Sequence, residues 1–280
     1  MKICVVDVGG AYRGIYAAGA FDRCMDDKVR FDLGIGVSVG SCNLISYAAG
    51  QVRRNYQFFT EYAQRKEYIS PLNYLKKGTL MDLDYAYSTL SNSDGENPLD
   101  YEAFSRNPME FYVVALNALT GETRDLDRQD VHQDDYSVMK ASSALPVICM
   151  HYYVGQTPYF DGALGDCVPV KKALDLGCDK IVLLLTKPVE EIRTPDLDIR
   201  AARLIHPEYP AAAEQLCLRA QRYNEGVALA RSLEAEGRAL IIAPTDTLGV
   251  STRHHEPERL ERFYRMGYED GARIKKFVTD

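Results

Sequence analysis

The chain has 280 residues, 46% of them hydrophobic and 26% charged, with a formal net charge of −7 and a pI near 5.4. Such a length buries roughly three quarters of the surface its unfolded form exposes, so no disulfide or structural metal is needed to hold a core. The acidic balance argues against nucleic acid as a partner, because phosphate binding calls for a basic face.

The first element is an apolar run at residues 3–6, read as a buried parallel strand. It leads into Gly9-Gly10-Ala11-Tyr12-Arg13-Gly14 and then a helical pattern over residues 15–24. A second strand at 33–37 runs into Gly36-Val37-Ser38-Val39-Gly40, followed by a helix over 39–49. The rhythm breaks at 51–109. The early part is basic and aromatic (Arg53, Arg54, Arg65, Lys66, Lys76 and Lys77 among Tyr56, Phe58, Phe59, Tyr62, Tyr68 and Tyr74), and residues 91–98 form a polar loop. This segment reads as a helical insertion over the ligand-binding end of the sheet, with the character of a lid. The basic aromatics also suit an anionic lipid surface, although a helix packed on the core with solvated charges explains them as well.

Further strands are expected at 111–116, 181–186 and 240–243, with helices at 171–176 and about 211–236, the latter stopping at Gly237. Strands alternating with helices predict a mainly parallel central sheet covered on both faces, a three-layer α/β/α sandwich. One domain over 1–280 is expected, with a C-terminal helical extension from about 190. No run reaches the ~18 apolar residues of a membrane span, and the N-terminus lacks the apolar core of a signal peptide. The seven cysteines are scattered without C-x-x-C spacing. These features predict a cytoplasmic protein with reduced thiols, whose membrane contact is peripheral.

Three motifs carry chemistry. Gly36-Val37-Ser38-Val39-Gly40 lies between a strand and a helix, the context of a nucleophile elbow. The glycines allow a turn too tight for side chains, and the helix that follows aims backbone N–H groups at the serine. The loop from Gly9 to Gly14 can supply further N–H donors for the oxyanion of acyl transfer. Dinucleotide binding fits it poorly, because the G-x-G-x-x-G frame puts Ala11 at its middle glycine. A P-loop is excluded for want of G-K-[ST]. Tyr159-Phe160-Asp161-Gly162-Ala163 places an aspartate where a strand ends, although a plain Asp-Gly turn would look the same. None of His132, His151, His206, His254 and His255 sits in a recognisable motif; His254 and His255 read as solvated. A serine hydrolase in which an aspartate takes the serine proton directly then comes into view.

Together the three motifs resemble the patatin-like phospholipase family, over about residues 1–190. Ala141-Ser142-Ser143-Ala144-Leu145-Pro146 is similar to a further segment of that family. The resemblance implies Ser38 as nucleophile, Asp161 as its partner in a Ser–Asp dyad, and an oxyanion hole from Gly9, Gly10 and Ala11. Val39 N–H is implied as an additional donor and Arg13 as an anchor of the loop. It implies a phospholipid or other fatty-acyl ester as substrate, with no cofactor, metal or nucleotide. Ala11 departs from the family's third glycine: if that position needs positive φ, a methyl group there is strained and one donor misaimed. Val39 stands where alanine is usual, and its bulk could narrow the acyl entrance. Two alternatives stay open, a small-ester or thioester hydrolase with the same dyad and a catalytically weak lipid- or protein-binding member.

Overall fold

The computed structural model describes residues 1–251 and 254–280. The parallel body of the sheet is built from β1 (Ile3–Asp7), β2 (Leu33–Val37), β3 (Glu110–Asn117), β7 (Lys180–Leu184) and β8 (Ala239–Ile242). Between β3 and β7 lie three further strands: β4 (Thr123–Asp127) and β5 (Tyr152–Val154), which the chain pattern did not announce, and β6 (Thr157–Asp161), the strand expected to end at Asp161. The order is β5-β6-β3-β2-β1-β7-β8. β6 and β4 pair antiparallel with β3, and β5 antiparallel with β6. A mainly parallel sheet with helices on both faces results, the three-layer α/β/α architecture expected.

The strands alternate strictly between two apolar layers, as side chains on a pleated strand must. Val5, Val182, Leu184, Leu240 and Ile242 face one layer. Cys4, Val6, Ile181, Leu183, Ala239 and Ile241 face the other. Among the described residues, the first layer holds α1 (Gly14–Asp26), α2 (Val39–Ala48), α3 (Arg54–Thr60), α5 (Tyr101–Arg106), α6 (Ser137–Ser143) and α10 (Pro257–Asp270), numbered with the short exposed helix α4 (Pro71–Lys77) in chain order. The second holds α7 (Val170–Asp175) and α9 (Pro210–Ala235). Two further helices are α8 (Asp196–Ile205), packed on α9, and α11 (Ala272–Thr279).

Residues 51–109 are a run of short helices rather than one long element. Phe59, Tyr62 and Tyr68 are buried in the first layer together with Leu83, Leu90 and Phe104. Only Tyr74 of the six basic-region aromatics is exposed, on α4 beside the exposed Leu72 and Leu75. The C-terminal region is integral to the core. α9 and β8 complete the second layer and the sheet edge, and α10 is latched to α1 by tyrosines. Tyr264 donates to Asp22, Tyr268 to Asp26, and from α1 Tyr16 donates to Asp270, each at 2.6 Å. No described helix is long and apolar enough to cross a membrane.

Candidate active site

The register of β3 brings the serine and the aspartate together. β2 ends at Val37, opposite Val114, and β6 ends at Asp161, opposite Ala115. Ser38 therefore leaves the sheet one rung away from Asp161. It does so at φ 56° and ψ −135°, a backbone region that costs an L-residue on the order of 1–3 kcal/mol. The flanking glycines permit the turn: a Cβ on Gly36 would collide with the Ser41 backbone, and one on Gly40 with the Asp7 carbonyl.

The segment 141–146 braces both halves of the site. Ser142 Oγ accepts the Ser38 N–H at 2.8 Å and donates to the Val114 carbonyl at 2.6 Å. The Ala144 carbonyl accepts the Asp161 N–H at 3.0 Å. The Asp161 side chain is 3% exposed. Its Oδ1 accepts the Ala163 N–H at 2.8 Å, and Ser38 lines the same pocket. Burial raises the Asp161 pKa from 3.8 to about 6, against the pull of the Ala163 N–H, of the Ser38 side chain and of the Arg219 and Arg193 charges.

The glycine loop adopts the backbone its sequence suggests, including at its odd residue. Gly9, Gly10 and Ala11 have φ of 67°, 130° and 52°. The left-handed region costs Ala11 about 1–2 kcal/mol that glycine would not lose. One expectation needs correction. Gly9, read from the sequence as an oxyanion donor, gives its N–H to Asp7 Oδ1 at 2.9 Å, and its carbonyl accepts from Thr186 Oγ1 at 2.6 Å. The Gly10 and Ala11 N–H groups have no acceptor among the described residues. Val39 opens α2, so its N–H has no intrahelical partner. All three residues line the pocket that holds Ser38 and Asp161. The Val39 side chain lies against Gly14, where a Cβ would collide with it. Arg13 closes the loop with its backbone, N–H to the Gly10 carbonyl at 3.2 Å.

Asp7 belongs to none of the three sequence motifs, yet it organises the loop. It ends β1 fully buried, and it accepts from Gly9 N–H and, at 2.9 Å, from Asn43 Nδ2, which also donates to the Gly14 carbonyl. Burial raises its pKa to about 6, with the Asn43 and Gly9 hydrogen bonds opposing. The available signal was a carboxylate closing an otherwise apolar strand just before a glycine loop.

The pocket has two kinds of wall. Phe59, Tyr68, Met81, Tyr87 and Ile148 supply apolar surface from the α3 side of the sheet, and Leu145 adds to it from a separate cluster with Phe160 and Leu164. Lys187, Arg193 and Arg219 enter from beyond β7 and from α9, on the other side. No described histidine lines it. His151 bonds through Nδ1 to the Tyr209 hydroxyl at 2.9 Å, and His255, expected to be solvated, stacks on Tyr12 with ring centres 4.1 Å apart. Among the described residues no three His, Cys, Asp or Glu side chains gather in a way that could hold a metal ion.

Fold and site together define an α/β/α protein with a strained serine at a strand–helix elbow, beside a buried aspartate and a glycine loop. The chain belongs to the patatin-like phospholipase family, a family of lipid acyl hydrolases, whose model matches residues 5–174. Residues 209–278 match a domain of unknown function, DUF6363. The uncharacterized protein YjjU of Escherichia coli (strain K12) is 29% identical over 211 residues, covering 69% of this chain and 54% of YjjU. The chain thus matches about half of that relative's length. The crystal structure of VipD from Legionella pneumophila is similar in fold, with a TM-score of 0.51 at 14% identity over 98% of this chain and 66% of that one.

Proposed function

We propose that this protein hydrolyses fatty-acyl esters of lipids, in the manner of a phospholipase A or lysophospholipase, through Ser38 and Asp161. The observation that carries this reading is the strained Ser38 elbow one rung from the buried Asp161 carboxylate, both lining one pocket. Asp161 takes the Ser38 proton as the oxygen attacks the ester carbonyl. The Gly10, Ala11 and Val39 amides hold the oxyanion, and Gly9 acts indirectly by fixing the loop to Asp7. Collapse breaks the ester C–O bond, and the leaving alcohol takes the proton from Asp161. Asp161 then removes a proton from water as it attacks the acyl-enzyme carbonyl; collapse breaks the Ser38 ester bond, Asp161 returns the proton to Ser38 Oγ, and the fatty acid leaves. A carboxylate raised toward neutrality is a better base than an ordinary aspartate.

The wall from residues 59–87 is the proposed acyl site, which makes the 51–109 insertion the cover of the pocket. Contact with a lipid surface falls on α4, where Leu72, Tyr74 and Leu75 are exposed beside Lys76. The test is a panel of p-nitrophenyl esters of graded chain length and fluorescent phospholipids, assayed with wild type, Ser38→Ala and Asp161→Asn. Both variants are expected to keep the wild-type circular dichroism and lose activity by at least ~10²-fold. A folded variant with wild-type turnover would contradict the dyad.

A further inference from the structure

The cationic wall of the pocket holds more positive charge than the protein neutralises. Arg219 donates twice to the buried Asp198, once through Nε at 3.0 Å. Arg193 reaches the same carboxylate through Nε at 3.6 Å, beyond hydrogen-bond distance. Lys187 is paired with Glu191. Arg13 has no acid of its own. Its guanidinium makes no hydrogen bond to the protein among the described residues, its Nε is buried without a partner, and its Nη2 lies against Gly10 of the oxyanion loop.

These groups feel one another. Besides its burial, Arg13 is disfavoured as a cation by Arg193, and Arg193 by Arg219. Against Arg13, Lys187, Arg193 and Arg219 stand Asp198, Glu191 and Asp161. That is one positive charge in excess, and two while Asp161 holds the serine proton. Guanidinium groups withdrawn from water and crowded together are unfavourable unless an anion meets their unused N–H donors. The planar fork of arginine suits the tetrahedral oxygens of phosphate.

We propose that Arg13, Arg193 and Arg219 form a phosphoryl-binding subsite that opens into the Ser38 pocket. Resting on the hydrolase reading, this makes the preferred substrate an acyl ester bearing a phosphate close to the scissile carbonyl. The acyl chain then lies against the apolar wall and the phosphate against the arginines. Arg193 is the informative residue, because its removal leaves Asp198 still paired with Arg219.

The test has two arms. In the first, kcat/KM is measured for 1-octanoylglycerol 3-phosphate and 1-octanoylglycerol, both monomeric in solution. Wild type is expected to favour the phosphorylated ester, and Arg193→Ala to lower that preference at least ~10-fold, with partial recovery in Arg193→Lys. Arg203→Ala, on the exposed face of α8, is expected to leave the preference unchanged. In the second arm, inorganic phosphate is titrated calorimetrically into Ser38→Ala with and without Arg193→Ala. Binding that weakens at least ~10-fold without Arg193 supports the subsite, even if no ester is turned over and the hydrolase reading fails. Phosphate binding with equal rates on the two esters assigns the subsite to free phosphate rather than to a headgroup. Equal rates with no phosphate binding, binding confined to an exposed surface and indifferent to Arg193, or a preference unchanged in folded Arg193→Ala each overturn it.

Discussion

Acidification should switch this protein off while removing the cost of its buried carboxylate charges. With Asp161 at about 6, its carboxylate is almost fully ionised at pH 7.5 and only about 3% ionised at pH 4.5, so kcat/KM should fall ~30-fold between them. Stability runs the other way. The folded pKa lies above the unfolded value near 3.8, so the folded state holds the proton more tightly. Above pH 6 the buried charge costs on the order of 3 kcal/mol, and that cost fades as the pH falls from 6 towards 4. Asp7, also raised to about 6 by burial, acts in the same direction. A pH series of initial rates on a soluble ester, paired with urea unfolding at the same pH values, measures both. Asp161→Asn should be inactive throughout, more stable than wild type at pH 7.5, and take up one proton fewer on folding between pH 4 and 6. A flat rate profile down to pH 4.5, or an Asp161→Asn protein less stable than wild type at pH 7.5, would refute the reasoning.

Two substitutions in the loop test its geometry. Ala11→Gly relieves about 1–2 kcal/mol of left-handed strain and gives back about 0.4–1 kcal/mol in unfolded-chain entropy. Urea unfolding should therefore show a small net gain in stability, with kcat equal to wild type or higher; a clear loss of stability would show that Ala11 is not strained. Asp7→Asn keeps the shape but cannot accept from both Gly9 and Asn43. Steady-state kinetics should show kcat reduced about 10-fold with KM little changed, the signature of the proposed oxyanion role of the loop amides; an unchanged kcat would remove Asp7 from the positioning machinery.

The parallel strands were legible because each is an uninterrupted apolar run, the pattern of a strand buried on both faces. Ser38 was legible because strand, glycine turn and helix coincide at one place. Asp161 is a common Asp-Gly turn until β3 pairs it with Ala115, one rung from the Val114 that faces Val37, and a one-dimensional pattern does not contain that register. Gly9 was misread for a similar reason: its donor is taken by Asp7, two residues earlier, whose side chain looked like a strand end. Arg193, Arg219 and Asp198 lie far from the motifs in sequence and meet the pocket only because α9 covers the second face of the sheet. The insertion's aromatics fitted an interfacial patch and a packed helix alike, because composition cannot tell which way a ring points. Most of them point inward.

The most direct test of the central claim is the intact mass of the protein after exposure to a fluorophosphonate. A single adduct that maps to Ser38, is absent from Ser38→Ala and forms far more slowly in Asp161→Asn is the expected result. A folded wild type that takes up no label, or one labelled at another residue, would contradict it.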